Sequence, residues 1–239
     1  DVEFSYRCQR HVLSFNGICV WHVPFIKKYN EVMEDYYLTR NMLMLSLRYG
    51  QSLSGIRPAF FDKKFRHNLY TYDYAAAELN LMAAEEVITG KYYADPAENH
   101  IRVAKVAKEL IGRIDSWKDQ PNIFPKSKRQ KVFKRNLKMV LQLFGLYRHK
   151  VGYSCGGFVK DINSYVGRNE VIVYQGDGLY RRYKFDKAKA ISLFLRYRRI
   201  CKALKLENSR LSEDLRKFSL EKSTLVAWEK LFQNEQLNK

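Results

Sequence analysis

The order of apolar and polar positions divides the chain into several helical stretches and two short β segments. Val12 to Val23, VLSFNGICVWHV, sets β-rich residues on both sides of Asn16-Gly17. Those two residues readily take the positive φ angles of a type I′ turn, so the stretch predicts a β-hairpin. From about Phe25 to Tyr49 the residues Tyr29, Met33, Tyr36, Tyr37, Met44 and Leu47 recur near helical spacing, with Gly50 as an end signal. Gln51 to Thr71 contains Gly55, Pro58 and the basic cluster Lys63, Lys64 and Arg66, and is expected to be loop-rich. Asp73 caps the next expected helix, which runs through Ile88 and closes at Gly90. Asp95-Pro96-Ala97-Glu98 places an acid, a proline and a glutamate as a helix start requires, and that helix is expected to reach about Trp117.

Beyond Pro125 the pattern changes in charge more than in period. In PKSKRQKVFKRNLK, Pro125 to Lys138, seven of fourteen residues are Lys or Arg. Ser127 with Gln130 fits a capping box, and a helix is expected to about Tyr147. Phe133, Leu137, Val140, Leu141 and Phe144 share one arc of it, while Lys128, Lys131, Lys134, Arg135 and Lys138 share another, an apolar keel under a basic deck. After the glycine-punctuated GYSCGGF, Glu170 to Phe185 predicts a second hairpin about Asp177-Gly178. In the register of a two-residue turn, Ile172, Tyr174, Arg181, Tyr183 and Phe185 share one face, and Val173, Tyr180, Arg182 and Lys184 the other. Asp186 then caps a single long C-terminal helix with a heptad-like seam of Phe194, Tyr197, Cys201, Leu204, Asn208, Leu211, Leu215 and Phe218. Docking of that helix on its own domain is favoured over an intermolecular coiled coil. The fold class is predominantly α with two β-hairpins (α+β), a helical domain with a long C-terminal amphipathic helix.

Composition sharpens one part of this picture. The 239 residues are 46% hydrophobic and 14% aromatic, ample for a core and unlike a disordered chain. The net charge of +18 is unevenly placed: Lys126 to Lys205 holds 21 Lys plus Arg against 4 Asp plus Glu, while the rest holds 22 against 21. The expected organisation is therefore a near-neutral hairpin and helical region, 1–125, and a strongly basic region, 126–239, of helix, hairpin and long C-terminal helix, with one continuous domain as the alternative. Such local excess of one sign calls for an anionic partner. No apolar run approaches the roughly 20 residues that cross a bilayer. Asp1, Glu3, Arg7 and Arg10 interrupt any signal-peptide core, and a chain starting at Asp1 is expected to be trimmed or processed. Four cysteines, Cys8, Cys19, Cys155 and Cys201, lack a disulfide-framework spacing. That favours an intracellular reducing compartment: cytosol, organelle matrix or virion interior.

Three basic segments carry the candidate chemistry. Phosphate recognition needs clustered Lys and Arg, and single strands add aromatic faces for stacking. The candidates are Lys126, Lys128, Lys131, Lys134, Arg135 and Lys138, then Arg181, Arg182 and Lys184, then Arg196, Arg198 and Arg199, with Tyr180, Tyr183 and Tyr197 for stacking. No zinc-finger, RNP or basic-zipper pattern supports sequence-specific readout. Cys8, His11, Cys19 and His22 repeat a C-x2-H spacing. A hairpin turning at Asn16-Gly17 pairs His11 with His22 but sends Cys19 to the opposite face, so no metal or other cofactor is expected.

Cys155 with His149 is the one thiol–imidazole candidate, and the neighbouring Glu85 and Glu86 diverge by about 100° on a helix. A non-catalytic protein is therefore expected. The leading reading is a basic structural component of a nucleoprotein assembly, a ribosome-like particle or virion, contacting RNA or DNA backbone and other protein subunits. The alternative is a protein-binding scaffold subunit using Leu204, Asn208, Leu211, Leu215 and Phe218 of the long helix. An anionic membrane surface remains open as a partner, and a zinc- or thiol-dependent nucleic-acid enzyme ranks below these.

Overall fold

A computed structural model describes residues 31–49, 59–91, 96–110, 115–116, 137–138, 141–142, 151–155, 161–176 and 179–222. It is a helix-dominated α+β fold. A π-helical turn, Val32–Tyr37, leads into α1, Leu38–Tyr49; then follow α2, Ala59–Tyr70, α3, Tyr74–Thr89, and α4, Pro96–Leu110. Strands β1, Asp115–Ser116, β2, Val151–Cys155, β3, Glu170–Gly176, and β4, Leu179–Lys184, precede α5, Lys187–Leu206, and α6, Asn208–Lys222. The predicted first hairpin, Val12 to Val23, lies outside the described residues.

Helix α3 is the hub. Asp73 caps it by accepting from the Ala76 N–H at 3.1 Å, and Gly90 ends it at φ 72°, a left-handed angle that costs glycine nothing. Its Ala76, Ala77, Leu79, Leu81, Ala83, Ala84 and Val87 are all fully buried, because α1, α2, α5 and the π turn surround it. Small alanines let those neighbours come close. One buried polar group, Asn80, is fully satisfied: its amide donates to the Asp35 carbonyl at 2.6 Å and the Thr39 hydroxyl at 3.0 Å, and its own oxygen accepts from Asn68 at 2.9 Å.

Four expectations need correction. The stretch read as loop contains α2, whose Phe61, Phe65 and Leu69 recur every fourth residue and bury one stripe in the core. Met33, expected inward, is 56% exposed, because the π turn has a wider period and turns Val32, Asp35 and Tyr36 inward instead. The helix beginning at Pro96 does not reach Trp117: α4 ends at Leu110, and Asp115–Ser116 pair with β4 as a strand. The single C-terminal helix is two. Glu207 departs from helical angles (φ −98°, ψ 9°), although its N–H still donates to Ala203 and its carbonyl accepts from Leu211, each at 2.9 Å. The bend lets α6 lie against α1.

The sheet has the order β1-β4-β3-β2. The β3–β4 hairpin is present, but its register differs by one residue from that of a simple two-residue turn. Tyr174 pairs with Tyr180 and Gly176 with Leu179, so Gln175 is an extra residue in β3. A one-residue slip reverses which β3 side chains share a face with β4. Val171 and Val173 therefore join Arg181 and Tyr183 on the core side, and Ile172 lies across from Arg182. β2 runs parallel to β3. Within it Gly152 admits the Arg168 side chain and the Ser164 carbonyl so closely that a Cβ would sit 2.5 Å from Arg168 Cδ and 2.8 Å from that oxygen.

The larger core draws Leu43, Phe61, Phe65 and Leu81 from before residue 125 together with Tyr165, Val171, Tyr197, Leu204 and Leu211 from after it. A smaller cluster joins Val32, Tyr36, Leu79, Ala83, Val103 and Ala107. Only fragments of the basic helix expected from Ser127 are described. Residues 137–138 and 141–142 are helical, yet Leu137 of the apolar keel is 48% exposed while Gln142 is buried. Gln142 stands only about 40° from Lys138 in helical phase. Here the polar side meets the domain, because it can be paid in hydrogen bonds: Gln142 Nε2 donates to Tyr72 Oη and to the Arg168 carbonyl, both at 2.7 Å, and its Oε1 accepts from the Gly167 N–H at 3.1 Å.

Burial raises several tyrosines: Tyr74 is pushed up to about 12, and Tyr72, Tyr165 and Tyr197 also move up, desolvation of the phenolate being the main cause in each. Because the unfolded phenols titrate near ~10, the stability held in their neutral forms is complete below that pH and is lost as pH rises through the folded values. Phenolate absorbance should therefore lag for these groups and appear together with cooperative loss of circular dichroism between pH ~10 and ~12. The Tyr165 hydroxyl is buried with no hydrogen-bond partner among the described residues, whereas Gln142 has three. Chemical denaturation should find Tyr165→Phe neutral or mildly stabilising, and Gln142→Leu destabilising by about 1–3 kcal/mol.

Candidate functional site

Helix α5 begins at Asp186, whose carboxylate accepts from the Lys189 N–H at 2.9 Å. Its inner row, Ala190, Leu193, Tyr197, Ile200 and Leu204, follows helical spacing and is buried. The outward row is unusual for a solvated surface. Ile191, Phe194, Leu195 and Leu206 are exposed large apolar side chains, and they alternate with exposed Lys187, Arg198, Arg199, Lys202 and Lys205. Part of this face forms an open groove of about 840 Å³ lined by Phe194, Leu195, Tyr197, Arg198, Arg199, Cys201, Lys202 and Lys205, with Arg66 contributed by α2.

The fate of each cation depends on the side of the helix from which it leaves. Arg196 reaches toward α3 and is clamped there. Its Nε and Nη2 each donate to Glu85 at 2.6 Å, and its Nη1 pairs with Glu78. Hydrogen bonds to Glu85 first, and then Glu78, raise this guanidinium further above its ordinary value against the effect of burial. Arg198, Arg199, Lys202 and Lys205 have no acidic partner among the described residues. A ring series supports the groove from beneath: Phe65 stacks on Tyr197 (centroids 4.4 Å, 5° between planes), and Tyr197 on Phe194 (6.0 Å, 29°). The Tyr197 hydroxyl donates to Asp62, which also accepts from Arg66 Nε at 2.6 Å, fixing both rings and rim.

The hairpin candidates separate in the same way. Arg181 is largely buried and paired with Glu31 at 2.5 Å. Arg182 is half-exposed, bonded to Glu170 at 3.2 Å, with its guanidinium 5.6 Å from the Tyr180 ring centroid. Lys184 is exposed. Arg181, Arg182 and Lys184, with Lys189, line a smaller cleft of about 160 Å³ that shares no residue with the groove. Two of the three stacking candidates, Tyr183 and Tyr197, are core residues at 6% exposure. Tyr180 is half-buried. Of the opening basic stretch, Lys138 is half-buried, and Lys126, Lys128, Lys131, Lys134 and Arg135 lie outside the described residues.

The proposed interface seam is spent internally. Leu204, Leu211 and Leu215 are core residues, Phe218 packs against that core and Asn208 is half-buried. Glu85 and Glu86 part company as their phase requires: Glu85 holds Arg196, while Glu86 accepts from Tyr36 and pairs with Arg102. Burial pushes the Cys201 thiol up, opposed by a hydrogen bond with Tyr197, so it remains an uncharged thiol. Among the described residues no group of three or more His, Cys, Asp or Glu could hold a metal ion; Cys8, His11, Cys19, His22 and His149 lie outside them, as does the side chain of Cys155. No described helix is long and apolar enough to cross a membrane.

The sequence reading missed Arg66, Lys202 and Lys205 as site residues. The signal for Lys202 and Lys205 was helical phase, since Arg198, Lys202 and Lys205 rise one per turn on a single side of α5, whereas Arg66 reaches the groove from another helix. No protein-family profile matches the chain, and no curated protein matches it.

The division of α5 is measurable. Replacing Arg196 by Gln leaves Glu78 and Glu85 facing each other across a partly exposed site and should cost roughly 1 kcal/mol in urea unfolding. Replacing Arg198 and Arg199 together should stay within about 0.5 kcal/mol of the wild type.

Proposed function

We propose that this chain is a non-catalytic basic component of a nucleoprotein assembly, such as a ribosome-like particle or a virion, and that α5 lays its outward face on RNA or DNA backbone. The observation that carries the reading is the contrast within α5. Its inward arginine takes two carboxylates from α3, while four outward cations stand together with no described acid to neutralise them. Clustered, solvent-facing cations displace the condensed counterions of a polyanion, and that release drives binding. The low cysteine count goes with an intracellular reducing compartment for such an assembly.

A second reading is favoured by a different observation. Ile191, Phe194, Leu195 and Leu206 expose apolar area on the same face, as the centre of a protein–protein contact would. In this reading the chain is a scaffold subunit that docks an acidic protein surface through α5, not through the leucine seam.

Binding of labelled RNA and DNA measured by fluorescence anisotropy over a salt series decides between them. Wild type should bind with a steep logarithmic salt dependence. The variant Arg198→Gln, Arg199→Gln, Lys202→Gln, Lys205→Gln should lose about 3 units of that slope, at roughly 0.7–0.9 per phosphate contact. No binding by wild type near physiological ionic strength sinks the nucleic-acid reading.

A further inference from the structure

We infer that the α5 groove takes single-stranded nucleic acid in preference to duplex, with Phe194 as a stacking platform for a base and the surrounding cations on the phosphates; this rests on the nucleic-acid reading above. Three observations support it.

The first is the interleaving of side chains. Projected at 100° per residue, the outward arc of α5 runs in the order Phe194, Lys205, Arg198, Ile191, Lys202, Leu195, Leu206, Arg199, so cations and apolar groups are intermingled across it. A helix lying in a bilayer interface segregates the two classes, apolar face inward and basic face outward. Sinking this arc into lipid would take Arg198 and Lys202 with it. The second is exposed apolar area set beside the cations. Phe194 is 38% exposed and Leu195 52%. A duplex keeps its base faces stacked inside and offers such groups little; an unstacked strand presents a base face and a phosphate in each nucleotide. The third is preorganisation. Phe65, Tyr197 and Phe194 form a series of rings from a fully buried phenylalanine to a partly exposed one, with Tyr197 fixed by its bond to Asp62. A base laid on Phe194 continues a stack that is already in place, so little rotamer entropy is lost.

The test compares oligouridine, oligodeoxythymidine, a mixed-sequence duplex of matched length, phosphatidylserine vesicles and polyglutamate as ligands of the full chain. The proteins are wild type, Phe194→Ala, Phe194→Leu and Phe194→Trp, each checked for an unchanged fold by circular dichroism. The inference expects single strands to bind at least about tenfold tighter than duplex. Phe194→Ala and Phe194→Leu should weaken single-strand binding by roughly 5- to 150-fold with the salt slope unchanged, because a ring and not a charge has been removed. Phe194→Trp should keep the affinity. Equal affinity for duplex, or equal losses on both forms from Phe194→Leu, overturns the single-strand inference while leaving the nucleic-acid reading intact. Binding confined to vesicles or to polyglutamate, or to none of these ligands, overturns both.

Discussion

One phenol group holds the helical layer to the sheet. Tyr72 occupies the tight connection between α2 and α3 at φ 55°, a left-handed angle that costs an L-residue about 1–2 kcal/mol. What stabilises it comes from far along the chain. Its hydroxyl proton is shared between the Tyr165 carbonyl at 2.6 Å and the Arg168 carbonyl at 2.9 Å, its oxygen accepts from Gln142, and its ring meets Tyr165 and Phe185 edge-on. The turn that aims α3, the loop that carries β3 and Gln142 are thereby fixed to one atom group. The neighbouring Tyr74 repeats the device, its hydroxyl lying within hydrogen-bond distance of both backbone groups of Asp186, the cap of α5. Tyr74 thus ties the start of α5 to the start of α3.

The fold sorts its excess charge by depth. Arg181 and Arg196 are drawn inward, and each meets a carboxylate supplied by the near-neutral part of the chain, Glu31 for the first and Glu78 with Glu85 for the second. Half-buried cations need such partners, since an unpaired charge out of water costs far more than a surface pair gains. Three acidic residues from before residue 125 are thus committed to the basic third at the two places where these arginines turn inward. The outer cations of α5 are left to the solvent side by the same geometry. Net charge describes the chain, but depth decides which charges remain available to a partner.

Much of the architecture was legible where local chemistry and tertiary need agree. Asp73 and Gly90 bound α3, Asp95-Pro96 announced α4, and Asp186 started α5. The hairpin was legible from Asp177-Gly178, but its register was not, because a bulge at Gln175 leaves no mark in alternation. Helix α2 was hidden by its cations: Lys63, Lys64 and Arg66 read as a loop cluster, while Phe61, Phe65 and Leu69 carried the true period between them. The break at Glu207 was equally hidden, since the seam runs through it without losing phase. For the site, charge alone ranked Arg196 beside Arg198 and Arg199, and ranked Tyr183 and Tyr197 as stacking faces. Burial reversed those assignments, and burial depends on which neighbours cover a face.

The enclosure of α3 has a consequence for how the chain is made. The walls around it include α5, which lies about a hundred residues downstream, and the bonds that pin its start come from Tyr165, Arg168 and Asp186. During synthesis at roughly 5–20 residues per second, an alanine-rich apolar helix therefore leaves the ribosome and waits on the order of ten seconds for its cover. The nascent chain cannot secure its centre early and add the basic helices later. Until α5 emerges, the face of α3 that it covers in the finished fold lacks that cover.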